Sequence, residues 1–226
     1  NQPFALFDDS KEMPLQVSPL VVDTGGYLRW ILLDFQVDLA AKETKRLTLK
    51  AIQGVATPAM PLKLSETADT VTIDTGNVNL RISKSKPFAL FDQVKLDGNP
   101  VMSGIAASYV DAFDGKRYLA DKPTSVVIEY AGPMRTTVAV KGGFVGDDES
   151  KLGYIARITA WVGRSEVHVK YTLANSNSDH YCYRQIKDSS VELKFVDKPS
   201  SMLVGAGEEI EAGTDAWMQQ TSRVFP

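Results

Sequence analysis

The sequence predicts an all-β protein, an antiparallel β-sandwich or barrel of roughly a dozen or more strands with little helix. Three observations lead to this class: apolar and polar residues alternate along many short segments, turn residues separate these segments, and helical spacing is nearly absent. Alternation places every second side chain on the same face, which is the pattern of a half-buried strand. We therefore expect two-layered β structure with one face of most strands in a core.

The first element contains the hexapeptide PFALFD at residues 3–8, which occurs again at residues 87–92. The residues that follow the two copies differ, so the hexapeptide does not begin a longer repeat. A proline start and alternating apolar residues predict a strand that enters the core at each copy.

The next clear element is LLDFQVDL at residues 32–39, where apolar and polar residues alternate from Leu33 onward. Leu33, Phe35, Val37 and Leu39 would share one face of a strand. The pattern predicts a half-buried strand that continues to Leu39.

Two hairpins follow from turn chemistry between alternating segments. DTVTID and NVNLRIS are joined across Thr75 and Gly76, and YIARITAWV and SEVHVKYTLA are joined at Gly163 and Arg164. Glycine supplies the positive φ that tight hairpin turns require. Both segments of each pair should be adjacent antiparallel strands.

The domain boundary is expected near residue 60, because residues 51–69 contain two prolines and have no clean period. Residues 1–60 would supply N-terminal strands that can complete a small barrel, and residues 61–226 a large β-sandwich. One continuous domain is the alternative. The final segment, AGTDAWMQQTSRVFP, stops within an apparent element, which favours a fragment of a longer protein.

Composition excludes several classes of function. The net charge of -3 and the absence of a basic patch argue against a nucleic-acid partner. The longest apolar runs are too short to span a bilayer, and no signal peptide is present in the chain. Cys182 is the single cysteine, which excludes an internal disulfide and a cysteine-based metal cluster. No cofactor is predicted.

The segment YVDAFDGKRY at residues 109–118 is the first candidate site. Sugars bind aromatic faces that are flanked by planar polar groups, so Tyr109, Asp111, Arg117 and Tyr118 are candidate carbohydrate-binding residues. A solvated hairpin tip explains the same residues, because Asp-Gly turns are common. A more distant interpretation uses Asp111 and Asp114 as paired carboxylates of a self-sufficient enzyme.

The polar segment NSNSDHYCYRQ at residues 175–185 adds His180 and Tyr181 as candidate carbohydrate-binding residues, because loops on a rigid sheet often carry binding groups. Its alternating Asn and Asp residues are similar to the start of a calcium loop. His180 stands where that motif needs glycine, however, and Ile186 where it needs a bidentate glutamate. No metal site is therefore predicted, and an Asx-rich turn is the simpler interpretation. His168, on the polar face of its strand, is interpreted as a surface residue.

A resemblance to a known family covers about residues 13 to 195. Its motifs lie in residues 13–49 and 71–98, and residues 128–142 and 156–175 are similar to the strands that follow. The shared residues are Gln16, Arg29, Trp30, Asp34, Phe35, Thr75, Gly76, Leu96, Asp97 and Gly98. On these residues the chain resembles the N-terminal β domain, of RIFT-barrel type, of the PcRGLX/YetA-like family, which is related to rhamnogalacturonan exolyases. One departure is DTGGYL at residues 23–28, where the family has a DGS segment before its Arg-Trp pair.

The resemblance implies a non-catalytic N-terminal β domain of a polysaccharide-degrading, rhamnogalacturonan-lyase-like protein. It implies a C-terminal catalytic domain of the same chain, an α/α toroid on which the β domain packs, and an acidic plant-type polysaccharide as the substrate. It also implies a secreted or periplasmic location. No catalytic residue can be carried over to this sequence, because the lyase chemistry of the family would lie in the toroid. The alternative is a stand-alone carbohydrate-binding module.

Overall fold

The computed structural model describes residues 4–102, 107–112, 115–146, 152–175, 186–197, 201–204 and 208–211. These residues form strands and turns and contain no helix, which confirms the all-β prediction. No element of the described chain has the helical length and apolar character that a membrane crossing requires.

The strands pair in antiparallel fashion throughout the described sheets. In chain order they are β1 (Ala5–Asp8), β2 (Lys11–Met13), β3 (Gln16–Val22), β4 (Leu28–Asp34), β5 (Leu47–Lys50), β6 (Lys63–Glu66), β7 (Thr70–Asp74), β8 (Val78–Ser83), β9 (Gln93–Leu96), β10 (Asn99–Pro100), β11 (Ala107–Ala112), β12 (Arg117–Leu119), β13 (Ser125–Tyr130), β14 (Arg135–Gly143), β15 (Leu152–Trp161), β16 (Val167–Asn175), β17 (Ile186–Glu192), β18 (Ser201–Val204) and β19 (Glu208–Glu211).

A β-sandwich forms the main body of the fold. A five-stranded sheet in the order β10-β9-β8-β7-β6 and a four-stranded sheet in the order β13-β14-β15-β16 contribute to one hydrophobic core. Ile73 and Leu80 from the first sheet, and Val138 and Ile158 from the second, are almost completely buried. A third sheet, β12-β11-β17, adds side chains to the same core. The alternation read along β7 and β8 is thus the burial pattern of the structure.

Both predicted hairpins are confirmed, β7–β8 and β15–β16, and their turns are joined at one end of the sandwich. Thr75 is buried and its Oγ1 donates to the carbonyl of Arg164 at 2.8 Å. The Gly163 N–H donates to the Thr75 carbonyl at 2.7 Å, and Asn77 Nδ2 donates to the Gly163 carbonyl at 3.1 Å. These bonds hold the two sheets together at this end.

The N-terminal residues form a three-stranded sheet, β2-β1-β5, and a separate two-stranded hairpin, β3–β4. Glu12 Oε1 accepts hydrogen bonds from the backbone N–H groups of Val55 at 2.6 Å and Ala56 at 2.9 Å. This carboxylate fixes the irregular segment that follows β5. The division into residues 1–60 and 61–226 stays a prediction.

The β3–β4 hairpin is attached to the sandwich at its base. Gln16 Oε1 accepts hydrogen bonds from the backbone N–H groups of Met134 at 3.1 Å and Arg135 at 2.9 Å. Asp34 Oδ1 lies 2.7 Å from Arg135 Nε, and both side chains are largely buried. The N–H of Arg135 Nε is not directed at this oxygen, so the contact is an ion pair rather than a hydrogen bond. The Arg135 guanidinium also lies over the ring of Tyr130, 4.4 Å from its centroid.

The strand prediction for residues 35–39 is wrong, because β4 ends at Asp34. Gln36 Nε2 donates to the carbonyl of Val162 at 2.9 Å, which directs this segment toward the end of the sandwich. Leu39 is exposed. Alternation describes the two faces that a strand would have, but it does not supply a neighbouring strand to pair with.

The two hexapeptides differ in structure. The first copy contains β1, as predicted, and its Ala5 and Leu6 are buried. The strand prediction for the second copy is wrong: residues 87–92 are irregular, and Leu90 has a φ of 62°. Phe88 and Leu90 are nevertheless buried, and Phe88 stacks on Tyr154 with the ring centroids 4.5 Å apart. The shared sequence thus supplies core residues in both places by different backbone conformations.

Candidate functional site

The first candidate segment forms part of the β12-β11-β17 sheet. In its register, Asp111 faces both Arg117 on β12 and Asp188 on β17, and Tyr109 faces Ser190 on β17. Side chains directly opposite on antiparallel strands share a face. The sheet therefore brings Tyr109, Asp111 and Arg117 together on the side away from the sandwich core.

These three side chains are in direct contact. Arg117 donates from Nε to Asp111 Oδ1 at 2.7 Å and from Nη2 to Asp111 Oδ2 at 2.8 Å, a bidentate pair. The Arg117 guanidinium lies over the Tyr109 ring, 3.8 Å from its centroid. Tyr109 is only 9% exposed, so the Arg117 guanidinium covers the ring face that the sequence predicts as a sugar-binding surface.

The ion pair sets the protonation of both partners. The hydrogen bonds from Arg117 lower the pKa of the Asp111 carboxyl group, with a smaller contribution from the charge of Lys187. The same hydrogen bonds raise the pKa of the Arg117 guanidinium. Asp111 is therefore ionised near neutral pH and accepts hydrogen bonds. A general acid at this pH needs a raised pKa, so Asp111 is not arranged as a proton donor.

Tyr118 is separated from the other candidates. It is 8% exposed and packs in the hydrophobic core, on the opposite face of the sheet from Tyr109. Its partner across the sheet is Val110, which is also a core residue. His180 and Tyr181 lie outside the described residues, as does Asp114.

Sequence reasoning did not identify the residues that β17 adds to this face. Asp188 lies opposite Asp111, and Ser190 Oγ donates to Asp188 Oδ2 at 2.6 Å. The motif at residues 109–118 contains only residues that are close in sequence, whereas β11 and β17 are far apart along the chain. Nothing in the sequence of β17 indicated its partner, because strand pairing at long range leaves no local pattern.

Two core tyrosines are unsuited to act as bases. Tyr154 donates to the carbonyl of Asp121 at 2.9 Å, and the hydroxyl groups of Tyr171 and Ser108 lie 2.8 Å apart. Burial raises the pKa of both phenols, further in Tyr154, where the charge of Tyr171 adds to the effect. Such tyrosines stay protonated, and they pack as core residues rather than as a site.

A second exposed group lies at the β3–β4 turn. Asp23 Oδ1 accepts hydrogen bonds from the backbone N–H groups of Gly25 and Tyr27, both at 2.9 Å, and Oδ2 accepts from Arg29 Nε at 2.8 Å. The bond from Tyr27 is the largest cause of the lowered pKa of Asp23. Tyr27 and Trp30 are 71% and 68% exposed beside this turn. The described residues contain no grouping of three His, Cys, Asp or Glu side chains that could hold a metal ion.

Comparison with known proteins identifies one domain of the chain. Residues 62–183 match the model of the PcRGLX-like protein central beta sandwich domain. No curated protein matches the chain. The matched domain is central within its family, whereas the resemblance read from the sequence pointed to the N-terminal β domain. Since the match covers more than half of the chain and coincides with the observed sandwich, the protein belongs to the PcRGLX-like family.

Proposed function

We propose that the chain is a non-catalytic β portion of a polysaccharide-degrading, rhamnogalacturonan-lyase-like protein, and that it packs on a C-terminal catalytic domain of the same parent protein. The observation that carries the proposal is the family match over the β-sandwich at residues 62–183. The substrate of the parent protein would be an acidic plant-type polysaccharide, and its location secreted or periplasmic, as the family resemblance implies.

The chemistry of the outer face of the β12-β11-β17 sheet favours a non-catalytic role. Elimination from a uronate needs a base at the substrate and a positive group that neutralises the carboxylate. Arg117 already neutralises Asp111 by a bidentate contact, and the phenols of Tyr154 and Tyr171 are held protonated inside the core. Neither Tyr154 nor Tyr171 is therefore available as the base of such an elimination.

The proposal is tested by assaying the 226-residue chain and its parent protein on rhamnogalacturonan and other pectic polysaccharides. Formation of unsaturated products is expected with the parent protein and not with the chain alone. Lyase activity of the chain alone would overturn the proposal, as would a parent protein without a helical domain after Pro226.

A second candidate function is a stand-alone carbohydrate-binding module. It is favoured by the Tyr109, Arg117 and Asp111 group, which presents a planar guanidinium and a carboxylate on an exposed sheet face. Calorimetric titration with acidic oligosaccharides should then show binding that Arg117→Ala abolishes. Absence of binding at millimolar ligand would count decisively against this function.

A further inference from the structure

The outer face of the four-stranded sheet β13-β14-β15-β16 carries a group of basic side chains. We call this group the basic face, and it consists of Lys141 on β14, Arg157 on β15, and His168 and Lys170 on β16. Lys141, His168 and Lys170 are exposed, and 41% of the Arg157 side chain is exposed. The whole chain has a net charge of -3, so a positive surface region departs from the overall charge of the protein.

Strand alternation and register place the basic face on one side of the sheet. The core side is occupied by the residues at alternate positions of the same strands, among them Val140, Ala156, Ile158, Val169 and Tyr171. Arg157 lies opposite Lys170, and Lys141 lies opposite Ile155, two positions from Arg157 along the chain. Directly opposite side chains are about 4.5–5.5 Å apart at Cβ, and diagonal neighbours about 7–8 Å. Lys141 and Lys170 therefore flank Arg157 on both sides.

The charges of the basic face are not balanced by nearby carboxylates. Glu129 is the one acidic residue in the four strands, and it accepts hydrogen bonds from Arg157 Nε at 2.8 and 3.0 Å. Among the described residues, the ammonium groups of Lys141 and Lys170 have no ion-pair partner. Like charges directly opposite on neighbouring strands destabilise a sheet. An anion that binds between Arg157 and Lys170 would therefore stabilise this arrangement.

The neighbours of these cations suit a sugar acid. His168 and Thr172 flank Lys170 at alternate positions of β16, are exposed, and can form hydrogen bonds with sugar hydroxyl groups. Glu129 can accept a hydrogen bond from a hydroxyl group. Trp161 lies on the same side at the end of β15 and is half-buried, so part of an aromatic side chain is also available. The face thus combines cations for carboxylates with polar groups for the neutral part of a sugar.

A nucleic acid fits the basic face less well. Duplex DNA carries one negative charge per about 1.7 Å of its axis, so its partners need a dense array of cations. The basic face has only the charges of Lys141, Arg157 and Lys170, and the carboxylate of Glu129 lies beside them. An acidic glycan separates its carboxylates by uncharged sugar atoms, which matches this spacing better.

We propose that the basic face binds an acidic polysaccharide, with Arg157 and Lys170 contacting one carboxylate and Lys141 the carboxylate of a neighbouring sugar unit. The inference deepens the proposed function and rests on it for the class of polysaccharide. Hydrogen bonds between these cations and carboxylates are charge-assisted and stronger than those between neutral groups. The substrate of the parent protein would then contact the β-sandwich as well as the catalytic domain.

Calorimetric titration of the 226-residue chain with a galacturonate oligomer tests the site at low ionic strength, where screening is weak. Lys170→Gln should weaken binding by about tenfold or more, because a charge-assisted hydrogen bond is lost. Lys63→Gln is the matched control: it removes the same charge from an exposed position on β6, in the other sheet, and should leave the affinity unchanged. Equal affinities of the wild type and Lys170→Gln would overturn the inference, as would the absence of binding by the wild type.

Thermal unfolding without ligand shows that a loss of binding is not a loss of folding. Lys170→Gln removes one of two like charges that face each other, so its unfolding midpoint should be at least as high as that of the wild type. A lower midpoint would show that Lys170 stabilises the free sheet, contrary to the unbalanced charge on which the inference depends.

Three further titrations identify the occupant. The methyl ester of the same oligomer lacks the negative charges and should not bind. Duplex DNA that binds as tightly as the oligomer at the same ionic strength would overturn the inference in favour of a general polyanion surface. Binding that is lost in Arg117→Ala and kept in Lys170→Gln would place the glycan on the β12-β11-β17 sheet instead.

Lyase assays of the parent protein separate this inference from the proposed function. A parent protein with lyase activity, whose 226-residue portion does not bind the oligomer, would refute the basic face and leave the proposed function intact. A parent protein without lyase activity, whose 226-residue portion binds the oligomer through Lys170, would refute the proposed function and leave the basic face as a glycan-binding site.

Discussion

The side chain of Gln16 lies directly against the backbone of Gly132. A Cβ atom added at Gly132 would lie 2.3 Å from Gln16 Cδ, so no other residue fits here without movement. From this position Gln16 Oε1 accepts hydrogen bonds from the backbone N–H groups of Met134 and Arg135. Gln16 thus attaches the N-terminal hairpin to the sandwich, together with the ion pair of Asp34 and Arg135.

Gln16→Ala should destabilise the protein by about 1–3 kcal/mol, because two backbone N–H groups lose their acceptor in a largely buried place. Chemical denaturation monitored by tryptophan fluorescence measures the effect. Gln53→Ala, at an exposed position, is the matched control and should unfold like the wild type. An unchanged midpoint for Gln16→Ala would contradict the attachment role.

Gly132→Ala should also destabilise, by about 1–3 kcal/mol, because the new methyl group overlaps the Gln16 side chain. Combining Gly132→Ala with Gln16→Ala removes the side chain that the new methyl group overlaps. The double variant should therefore be clearly more stable than the sum of the two single effects predicts. Additive changes in the free energy of unfolding would show that the two residues are not in contact.

The Gln16 contact also shows what the sequence could and could not predict. The family resemblance includes Gln16 and Asp34, yet their common partner on β14, Arg135, is more than a hundred positions away and no sequence pattern indicates it. Local alternation predicts β7, β8, β15 and β16 correctly, because the sequence of each strand itself shows which side chains lie on which face. It failed at residues 35–39 because pairing depends on another segment.

The same reasoning applies to the candidate site. The sequence grouped Tyr109, Asp111, Arg117 and Tyr118, but strand alternation sends Tyr118 to the core and leaves the other three on the outer face. That Arg117 covers the Tyr109 ring could not be predicted, because it depends on the Arg117 conformation that the hydrogen bonds to Asp111 impose. Exposure of Trp30 likewise follows from the position of the hairpin beyond the sandwich.

Asp111 should titrate below the ordinary range of an aspartate. Arg117 lowers its pKa in the folded state, so any stability that the pair contributes is present above the unfolded pKa and is lost as the pH falls through the folded pKa. The pair is solvent-exposed, and its contribution should be small. Carboxyl NMR titration measures the midpoint, which Arg117→Gln should return toward the ordinary value. An ordinary midpoint in the wild type would contradict the bidentate contact.

Tyr154 should make the protein sensitive to alkali. Its ring stacks with the rings of Phe88 and Tyr171, and burial raises its pKa above the ordinary value of a tyrosine. A group whose folded pKa is raised contributes stability that is complete below its unfolded pKa, about 10, and is lost as the pH rises through the folded pKa.

Stability measured by denaturation should therefore fall with increasing pH above about 10, and tyrosinate absorbance from Tyr154 should appear only with unfolding. Tyr154→Phe removes the ionisable group and should flatten this alkaline loss, although it also removes the hydrogen bond to Asp121, at a cost of about 1 kcal/mol at neutral pH. Tyr27→Phe, at an exposed position, is the matched control and should leave the alkaline slope unchanged. Early tyrosinate formation at Tyr154 in the folded protein would show that the phenol is accessible, contrary to its place in the core.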